Sequence, residues 1–168
     1  MKKIGLLSDT HGEICTWAEK YFESCDEIWH AGDVGNLTVI QHLQQLKPLR
    51  GVYGNIDGNE IRQYFEKEIF FEIEGLKVFI THIGALPPNY NINLKTKLEI
   101  LKPNLFICGH SHILRILPDK LHKLLYMNPG ACGSHGFHVI KTAIRFEIEN
   151  AKIQNVEVIE LGKRGSIA

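Results

Sequence analysis

Two histidines separated by a single residue, His110 and His112, follow the apolar run Leu105–Cys108. Imidazole nitrogens and carboxylate or amide oxygens suit divalent cations such as Mn²⁺, Zn²⁺ and Fe²⁺. Each of four earlier apolar runs is also followed by side chains of this kind, namely Asp9 with His11, then Asp33, Asn55 and His82. None of these candidates is a thiolate, so the series predicts a site for a borderline divalent metal ion.

Strand-like runs alternate with helical patterns in the first part of the chain, and these elements would position the candidates. The predicted order is strand, helix, strand, helix, strand over Ile4–Leu7, Ile14–Tyr21, Glu27–His30, Leu37–Leu46 and Leu49–Tyr53. In open α/β sheets, ligands bind beyond the carboxyl ends of strands, where loops from separate strands converge. We therefore expect the metal-binding side chains to collect along one rim of a sheet.

The later part of the chain is predicted to be richer in strands. Glu74-Gly75 indicates a tight turn, and thus a hairpin between strands at Phe70–Ile73 and Lys77–Ile80, before a helix at Leu94–Leu101. The remaining predicted strands are Leu105–Cys108, Ile113–Leu117, Lys123–Met127, Ile144–Ile148 and Ile153–Ile159, with a turn at Glu149-Asn150. We expect this half to be antiparallel, so the fold class is α/β, a mixed two-sheet β-sandwich flanked by helices.

Composition limits the class of protein. The chain has 168 residues, 44% of them hydrophobic, which predicts one domain over residues 1–168 with a sizeable core. Lys+Arg and Asp+Glu each number 19 and neither sign forms a long run, so nucleic acid is not an expected partner. No apolar stretch approaches the roughly 20 residues of a membrane span. The four cysteines lack zinc-ribbon or redox-motif spacing, which predicts a cytoplasmic protein with reduced thiols.

Each short motif, taken alone, has an ordinary structural explanation. Asp9 with His11 could cap a helix, and Gly32-Asp33 and Gly54-Asn55 could be plain turns, because these residue types supply the backbone freedom that turns need. All five motifs at consecutive strand ends, in this order, favour a metal site over a chance arrangement.

The order Asp-x-His, Gly-Asp, Gly-Asn, a lone His and Gly-His-x-His resembles the calcineurin-like metallophosphoesterase superfamily, in particular its small bacterial and archaeal phosphodiesterase branch. The resemblance covers residues 9 to 112, and Asn128-Pro129-Gly130 matches a further segment near that family's site. It implies a metallo-dependent phosphatase-like, four-layer αββα fold and two divalent metal ions. Mn²⁺ is the expected metal, with Fe, Ni or Zn as alternatives. By the same resemblance, the first ion would be held by Asp9, His11, Asp33 and His112, and the second by Asp33, Asn55, His82 and His110.

The resemblance also implies a reaction. A hydroxide that bridges the two ions would attack the phosphorus of a small-molecule phosphodiester. Asp33 would bridge both ions because each of its two carboxylate oxygens can face one cation. The catalytic set implied in this way is Asp33, Asn55 and His82.

The sequence departs from the family pattern at Ile56, where many members carry a histidine that protonates the leaving oxygen or binds phosphate. This departure predicts slow turnover of esters with strongly basic leaving groups, which makes aryl phosphodiesters the preferred test substrates. The neighbouring Asp57 is predicted to brace the turn. His135 is predicted to lie in a solvated loop, although the Gly-rich segment before it could bend toward the site and bring this histidine to the substrate.

Other functions stay open on the sequence alone. Some members of the superfamily, such as the retromer scaffold subunit, resemble the fold while serving as protein-binding platforms. A phosphomonoesterase or a nuclease would differ only in substrate, and a nuclease would usually want a basic groove. The sequence also leaves a homo-oligomer open. The complete set of ligating side chains favours an enzyme over a scaffold.

Overall fold

Two five-stranded β-sheets form the centre of the protein in the computed structural model, which describes residues 1–165. The strands, in chain order, are β1 (Lys2–Leu7), β2 (Glu27–His30), β3 (Leu49–Gly51), β4 (Glu68–Ile73), β5 (Leu76–Thr81), β6 (Leu105–Ile107), β7 (Arg115–Asp119), β8 (Leu124–Asn128), β9 (Ile140–Glu149) and β10 (Lys152–Lys163). The helices are α1 (Ala18–Tyr21), α2 (Leu37–Leu46), α3 (Asn59–Tyr64) and α4 (Ile92–Leu101).

The parallel strands lie on one side of the first sheet, whereas in the second sheet they lie at the centre between two antiparallel edge strands. The first sheet has the order β10-β9-β1-β2-β3, in which β1, β2 and β3 are parallel. The second sheet has the order β4-β5-β6-β8-β7, in which β5, β6 and β8 are parallel. Because parallel strands end on the same edge, the loops that follow them in one sheet lie side by side.

The two sheets pack face to face, and helices cover their outer faces. The core between the sheets joins residues from both, among them Ile4, Trp29, Phe146, Val78, Ile80 and Ile107. Helix α2 packs on the outer face of the first sheet through Val39, Ile40 and Leu43, and α4 packs on the second through Leu94 and Leu98. Burial of each large apolar side chain contributes about 1.5–3 kcal/mol, so these interfaces hold the layers together. The predicted α/β fold class, a mixed two-sheet sandwich flanked by helices, is confirmed.

The hairpin predicted around Glu74-Gly75 is also present. Strands β4 and β5 are antiparallel, with Ile73 paired to Leu76. Both turn residues have positive φ, 51° at Glu74 and 77° at Gly75, as a two-residue type I′ turn requires. The turn between β9 and β10 lies at Asn150 and Ala151, one residue later than predicted.

The expectation that the later half is antiparallel is wrong for its central strands. Strand β5 is followed by α4 and then by β6, and a helix between two neighbouring strands of one sheet returns the chain in the parallel direction. The signal was present in the order of the predicted elements. The parallel arrangement matters because it brings the ends of β5 and β6 to the same edge.

Two helices differ from the prediction. The helix expected at Ile14–Tyr21 is shorter than predicted, because only α1 (Ala18–Tyr21) is helical. Helix α3 was not predicted, since it has six residues and buries only Ile61, too little for an apolar pattern. None of the helices in the described part of the chain combines the length and apolarity that a bilayer crossing requires.

Candidate metal centre

The candidate ligands lie where the parallel strands of both sheets end. Asp9, Asp33 and Asn55 follow β1, β2 and β3 of the first sheet. In the second sheet the loops after β5 and β6 carry His82, His110 and His112. The parallel strands of the two packed sheets therefore bring side chains that are about a hundred positions apart in sequence to one edge of the sandwich.

The first group of ligating atoms joins the loop after β1 to the loop after β6. Nε2 of His112 lies 3.2 Å from Oδ1 of Asp9, and Nε2 of His11 lies 4.0 Å from the same oxygen. The two imidazole nitrogens are 3.3 Å apart. One ligating atom from each of these three residues lies within 4.8 Å of the others. Atoms bound to one ion at about 2–2.2 Å lie roughly 3–4 Å apart, so small side-chain adjustments would complete the site.

The second group joins the loops after β2, β3, β5 and β6. Asp33, His82 and His110 each place one ligating atom within 4.8 Å of the others. Nε2 of His82 lies 3.2 Å from Oδ1 of Asp33 and 3.1 Å from Oδ1 of Asn55. The rings of His82 and His110 meet edge to face, with their centroids 5.3 Å apart. Asn55 thus adds an amide oxygen to two imidazoles and a carboxylate.

Asp33 lies between the two groups. Its Oδ1 atom faces His82 of the second group, whereas its Oδ2 atom lies 3.8 Å from Nε2 of His11 in the first. The residue is only 2% exposed, and the N–H of Ile56 donates to Oδ1 at 3.1 Å. The carboxylate is therefore held in a single orientation that presents one oxygen to each group.

The contacts within each group leave room for a cation. Asp9 Oδ1 is buried and accepts no hydrogen bond from any described residue. His82 Nδ1 lies 2.8 Å from the carbonyl oxygen of Ala31 and must donate to it, because a carbonyl only accepts. Neutral His82 would then turn the lone pair of Nε2 toward the oxygens of Asp33 and Asn55. Lone pairs that converge in this way repel one another unless a proton or a cation lies between them, so the donor set fits a divalent metal.

The charges in the site affect the pKa values of His11 and His82 differently. At His11, burial lowers the pKa below the usual value, although Asp33 and Asp9 partly oppose this effect. At His82, burial also opposes protonation, but the hydrogen bond to Asp33 and the charges of Asp9 and Asp33 outweigh it and raise the pKa. Burial would raise the pKa of Asp33, yet the interactions with His82 and the Ile56 N–H lower it. Asp33 is therefore an anion at neutral pH, as a metal ligand must be.

The backbone at the site is strained. Left-handed φ angles for non-glycine residues cost on the order of 1 kcal/mol each and persist where the surrounding structure enforces them. Five of the eleven non-glycine residues with positive φ in the described chain are candidate ligands, namely Asp9, His11, Asp33, His110 and His112. This concentration of strain at the strand ends is typical of a functional site.

Two glycines allow the loops to approach one another closely. A Cβ atom on Gly32 would lie 2.5 Å from Nδ1 of His82, and a Cβ on Gly54 would lie 2.0 Å from Oδ1 of Asp33. Any larger residue would push these ligands apart. The Gly-Asp and Gly-Asn pairs therefore serve close packing of the site in addition to turning the chain.

Comparison with known proteins identifies the family. The model of the calcineurin-like phosphoesterase superfamily domain matches residues 1–151. The chain belongs to this superfamily. A probable metallophosphoesterase of Methanothermobacter thermautotrophicus is 30% identical over 138 residues, which are 76% of each chain. The family predicted from the order of the motifs is thus confirmed.

Solved structures of the same superfamily fold agree with this assignment. An archaeal phosphodiesterase shares 26% identity and a TM-score of 0.71, with 95% of this chain and 99% of that chain covered. Vps29 of Chaetomium thermophilum has a TM-score of 0.76 at 12% identity, with 98% of this chain and 100% of that chain covered. At this identity the similarity to Vps29 concerns the fold alone.

Asp57 braces the loops that carry Asp33 and Asn55, as the sequence predicted. Its buried carboxylate accepts the backbone N–H groups of Gly35 at 2.7 Å, Gly54 at 2.7 Å and Val34 at 3.1 Å. These groups come from the two loops that follow β2 and β3. One charge thus joins two strand ends, and the prediction that Asp57 stabilises the turn is confirmed.

A buried histidine links two other loops. The N–H of Gly32 donates to Nδ1 of His30 at 3.1 Å, so Nε2 carries the proton and donates to Oγ1 of Thr10 at 3.0 Å. Thr10 Oγ1 in turn donates to the carbonyl oxygen of Val34 at 2.9 Å. Complete burial lowers the pKa of His30 to about 4, although the charge of Asp57 opposes this effect. Neutral His30 is therefore a positioning residue between the loops of Asp9 and Asp33.

Asn128, at the end of β8, holds the Gly-His-x-His loop. Its Nδ2 donates to the carbonyl oxygen of Gly109 at 2.8 Å and to Oγ of Ser111 at 3.1 Å, and its Oδ1 accepts the N–H of Gly130. The residue is fully buried. The Asn-Pro-Gly segment was noted in the sequence only as a resemblance, and the structure gives it a physical role beside the site.

The loop at 133–139 covers one side of the first group. His135 is exposed, as expected for a solvated loop, but its ring lies against His11 with centroids 4.7 Å apart. The ring of His138 lies 5.3 Å from that of His112. Glu13 anchors the loop by accepting the N–H of Ser134 at 2.8 Å. The Gly-rich segment thus bends toward the site, which is the alternative that the sequence left open, although no local pattern shows that residue 135 contacts residue 11.

Replacing Asp57 with asparagine should destabilise the metal-free protein by about 2–3 kcal/mol, because a neutral amide cannot accept three buried N–H groups. Urea unfolding with chelator present measures the change. Asp26→Asn is a matched control at an exposed carboxylate whose single backbone contact asparagine can keep. The Asp26 variant should lose about 0.5 kcal/mol or less of the free energy of unfolding. Equal stability of the Asp57 variant and the wild type would contradict the bracing role.

His30 should make the metal-free protein less stable in mild acid. Its pKa is about 4 in the folded protein and about 6.5 when unfolded, so the unfolded chain binds more protons between these values. The free energy of unfolding should therefore fall as the pH drops from about 6.5 to about 4, by roughly 3 kcal/mol from this residue.

The comparison variant is His30→Gln, which does not titrate. Urea unfolding of both proteins between pH 7 and pH 4.5, in chelator, isolates the contribution of His30 because the other histidines titrate in both. The difference in stability between the two proteins should narrow in acid. A constant difference across this range would exclude a neutral, buried His30.

Proposed function

We propose that this protein hydrolyses phosphodiesters of small molecules with the aid of two divalent cations. The observation that carries the proposal is the position of Asp33, which presents one carboxylate oxygen to each of two groups of ligating atoms. The first cation would be held by Asp9, His11, Asp33 and His112. The second would be held by Asp33, Asn55, His82 and His110.

The charge of the site suits a phosphate ester. Two divalent cations against the carboxylates of Asp9 and Asp33 leave about two positive charges, since imidazole and amide ligands are neutral. A phosphodiester carries one negative charge and would be attracted. An uncharged ester would gain much less from this centre.

The cations and the residues of the chain would have different roles in the reaction. Bound cations would lower the pKa of a coordinated water and stabilise the charge on the phosphate oxygens. The chain contributes orientation: Asp33 is held by the Ile56 N–H, and His82 by the Ala31 carbonyl. In the reaction the oxygen of water joins phosphorus, the ester P–O bond breaks, and the leaving oxygen takes a proton. We assign Asp33, Asn55 and His82 as catalytic, because they surround one side of the centre.

The leaving group receives little help from the loop after β3. Ile56 follows Asn55, its side chain is 47% exposed, and it offers no proton. Donation by a well-placed side chain is typically worth 10²–10⁴-fold. Esters whose leaving oxygen needs no proton, such as aryl phosphodiesters, should therefore react fastest.

The metal and the location are further parts of the proposal. Nitrogen and oxygen ligands without thiolates suit Mn²⁺, which we propose as the working metal, and also Fe²⁺, Ni²⁺ or Zn²⁺.

We also propose a cytoplasmic location and a single domain over the whole chain. All four cysteines are unpaired and buried, and burial raises the pKa of Cys108 to about 12. Such thiols fit a reducing compartment.

A protein-binding scaffold is the second candidate function. Exposed apolar residues directly follow two candidate ligands, Ile83 after His82 and Ile113 after His112. Phe137, which directly precedes His138 in the sequence, is also fully exposed. Exposed apolar surface is common where a protein partner binds, and these three side chains are the observation that favours a scaffold. We favour hydrolysis, because protein binding gives no reason for two sets of converging ligand atoms or for the strain in their loops.

Asp33→Asn should lower hydrolysis of bis(4-nitrophenyl) phosphate by more than about 100-fold, because one residue serves both metal sites. It should also lower the amount of Mn²⁺ bound at both sites. Release of 4-nitrophenolate and elemental analysis after dialysis measure the two effects. Chelator should abolish the activity of the wild type, and added Mn²⁺ should restore it.

The matched control is Asp26→Asn, at an exposed carboxylate before β2, which should hydrolyse the diester like the wild type. Full activity of the Asp33 variant, or wild-type activity that survives chelator, would exclude the proposed mechanism. Stoichiometric metal binding with no turnover of diester, monoester or DNA would favour the scaffold instead.

Ile56→His should reduce the dependence of the rate on the leaving group by placing an imidazole beside the reacting ester. We expect turnover of diesters with weakly acidic phenols to rise about 10-fold or more, below the ceiling for ideal proton donation. Ile56→Gln controls for polarity without a titratable group. A plot of log kcat/KM against leaving-group pKa that has the same slope in all three proteins would show that the missing donor does not limit the reaction.

A further inference from the structure

A cleft of about 460 Å³ opens directly beside the second group of ligands. Asn55 and His82 belong both to the candidate metal centre and to the wall of this cleft. The remaining wall comes from α3, the start of β4, the end of β5 and the first turn of α4, including Arg62, Lys67, Glu68, Asn91, Asn93 and Lys97. Any substrate whose phosphorus lies at the centre has room for one of its two ester arms here.

The cleft is positively charged in a chain that has no formal net charge. Lys97 forms an ion pair with Glu68, so these two charges cancel. Arg62 and Lys67 have no carboxylate within ion-pair distance among the described residues. Two positive charges are therefore left to face a bound molecule.

Arg62 is held in place rather than extended freely into solvent. Its Nε donates to the carbonyl oxygen of Asp57 at 2.8 Å, and its guanidinium lies 4.7 Å from the centre of the Tyr53 ring. Both partners are themselves in the loop after β3, which carries Asn55. The guanidinium thus has a defined position relative to the metal centre, and its terminal nitrogens can donate to an anion in two parallel hydrogen bonds.

We propose that this cleft binds a second anionic group, a carboxylate or a phosphate, on one ester arm of the substrate. The inference rests on the proposed phosphodiesterase function and names the class of diester that the site prefers. Arg62 and Lys67 would bind the anion, while the amides of Asn91 and Asn93 line the same space. A neutral arm would leave two charged side chains without a partner and would therefore bind less well.

Three 4-nitrophenyl phosphodiesters test the proposal with Mn²⁺ present. Their second arms are 2-carboxyethyl, 2-carbamoylethyl and 2-phosphonooxyethyl, so that the first two differ in charge and hardly in size. The kcat/KM for the carboxylate arm should exceed that for the amide arm by about 10-fold, from two charge-assisted contacts. The phosphate arm identifies which of the two anions the cleft prefers.

Arg62→Gln and Lys67→Gln should each lower the ratio of kcat/KM for the anionic arm to that for the amide arm by roughly threefold, because the two contacts together give about 10-fold. Lys77→Gln is the matched control, because Lys77 is an exposed lysine at the opposite end of the strand that leads to His82. It should leave the ratio as in the wild type. An equal ratio in all four proteins would overturn the proposal.

A binding measurement separates this inference from the proposed function. Phosphate monoesters with the carboxyethyl and carbamoylethyl arms are titrated into chelator-treated protein, and backbone N–H signals of residues 62, 67 and 93 are followed by NMR. The anionic compound should bind at least threefold more tightly, and Lys67→Gln should remove the difference. No hydrolysis of any diester would exclude the proposed function, whereas equal hydrolysis and equal binding of both arms would exclude only the charged cleft.

Discussion

The structure depends on one buried carboxylate that faces two ways. Asp33 presents Oδ1 to His82 and Oδ2 to His11, and it is held there by a backbone N–H and by close packing against Gly54. Lone pairs that converge around a carboxylate repel one another, so positive charge between them would stabilise this arrangement. Strand ends from both sheets must meet at this point, and the sandwich architecture with parallel central strands is what allows them to do so.

The loops that carry the ligands are held by polar contacts more than by apolar packing. Asp57 ties the ends of β2 and β3, His30 ties the loops of Asp9 and Asp33, and Asn128 ties the loop of His110 and His112. All three side chains are buried, where a hydrogen bond is strong and its loss is costly. These contacts offset the strain of five left-handed ligand residues, and the core between the sheets supplies the rigid support.

The proposed reaction would combine a strong electrophilic centre with weak assistance to the leaving group. Cations bound at the two candidate sites would place positive charge beside the phosphate, while Ile56 provides no proton. The charged cleft next to Asn55 and His82 adds binding away from the reacting bond, and such remote contacts can raise the rate when they orient the ester. Orientation and charge would thus compensate for the histidine that other family members carry.

Local patterns in the chain were enough to predict the strands, the order of the ligating residues and the bracing role of Asp57, because periodicity, turn chemistry and residue type are local properties. The sequence was also enough to identify the superfamily and to predict the α/β sandwich fold. Long-range packing, in contrast, is responsible for the parallel pairing of β8 with β6, for the contact of His135 with His11 and for the formation of α3. The charged cleft also depends on tertiary packing, since Arg62, Lys67 and Lys97 come from separate segments of the chain. Their proximity depends on long-range packing of helices against the sheets, and no short pattern in the chain encodes which distant side chains will share a wall.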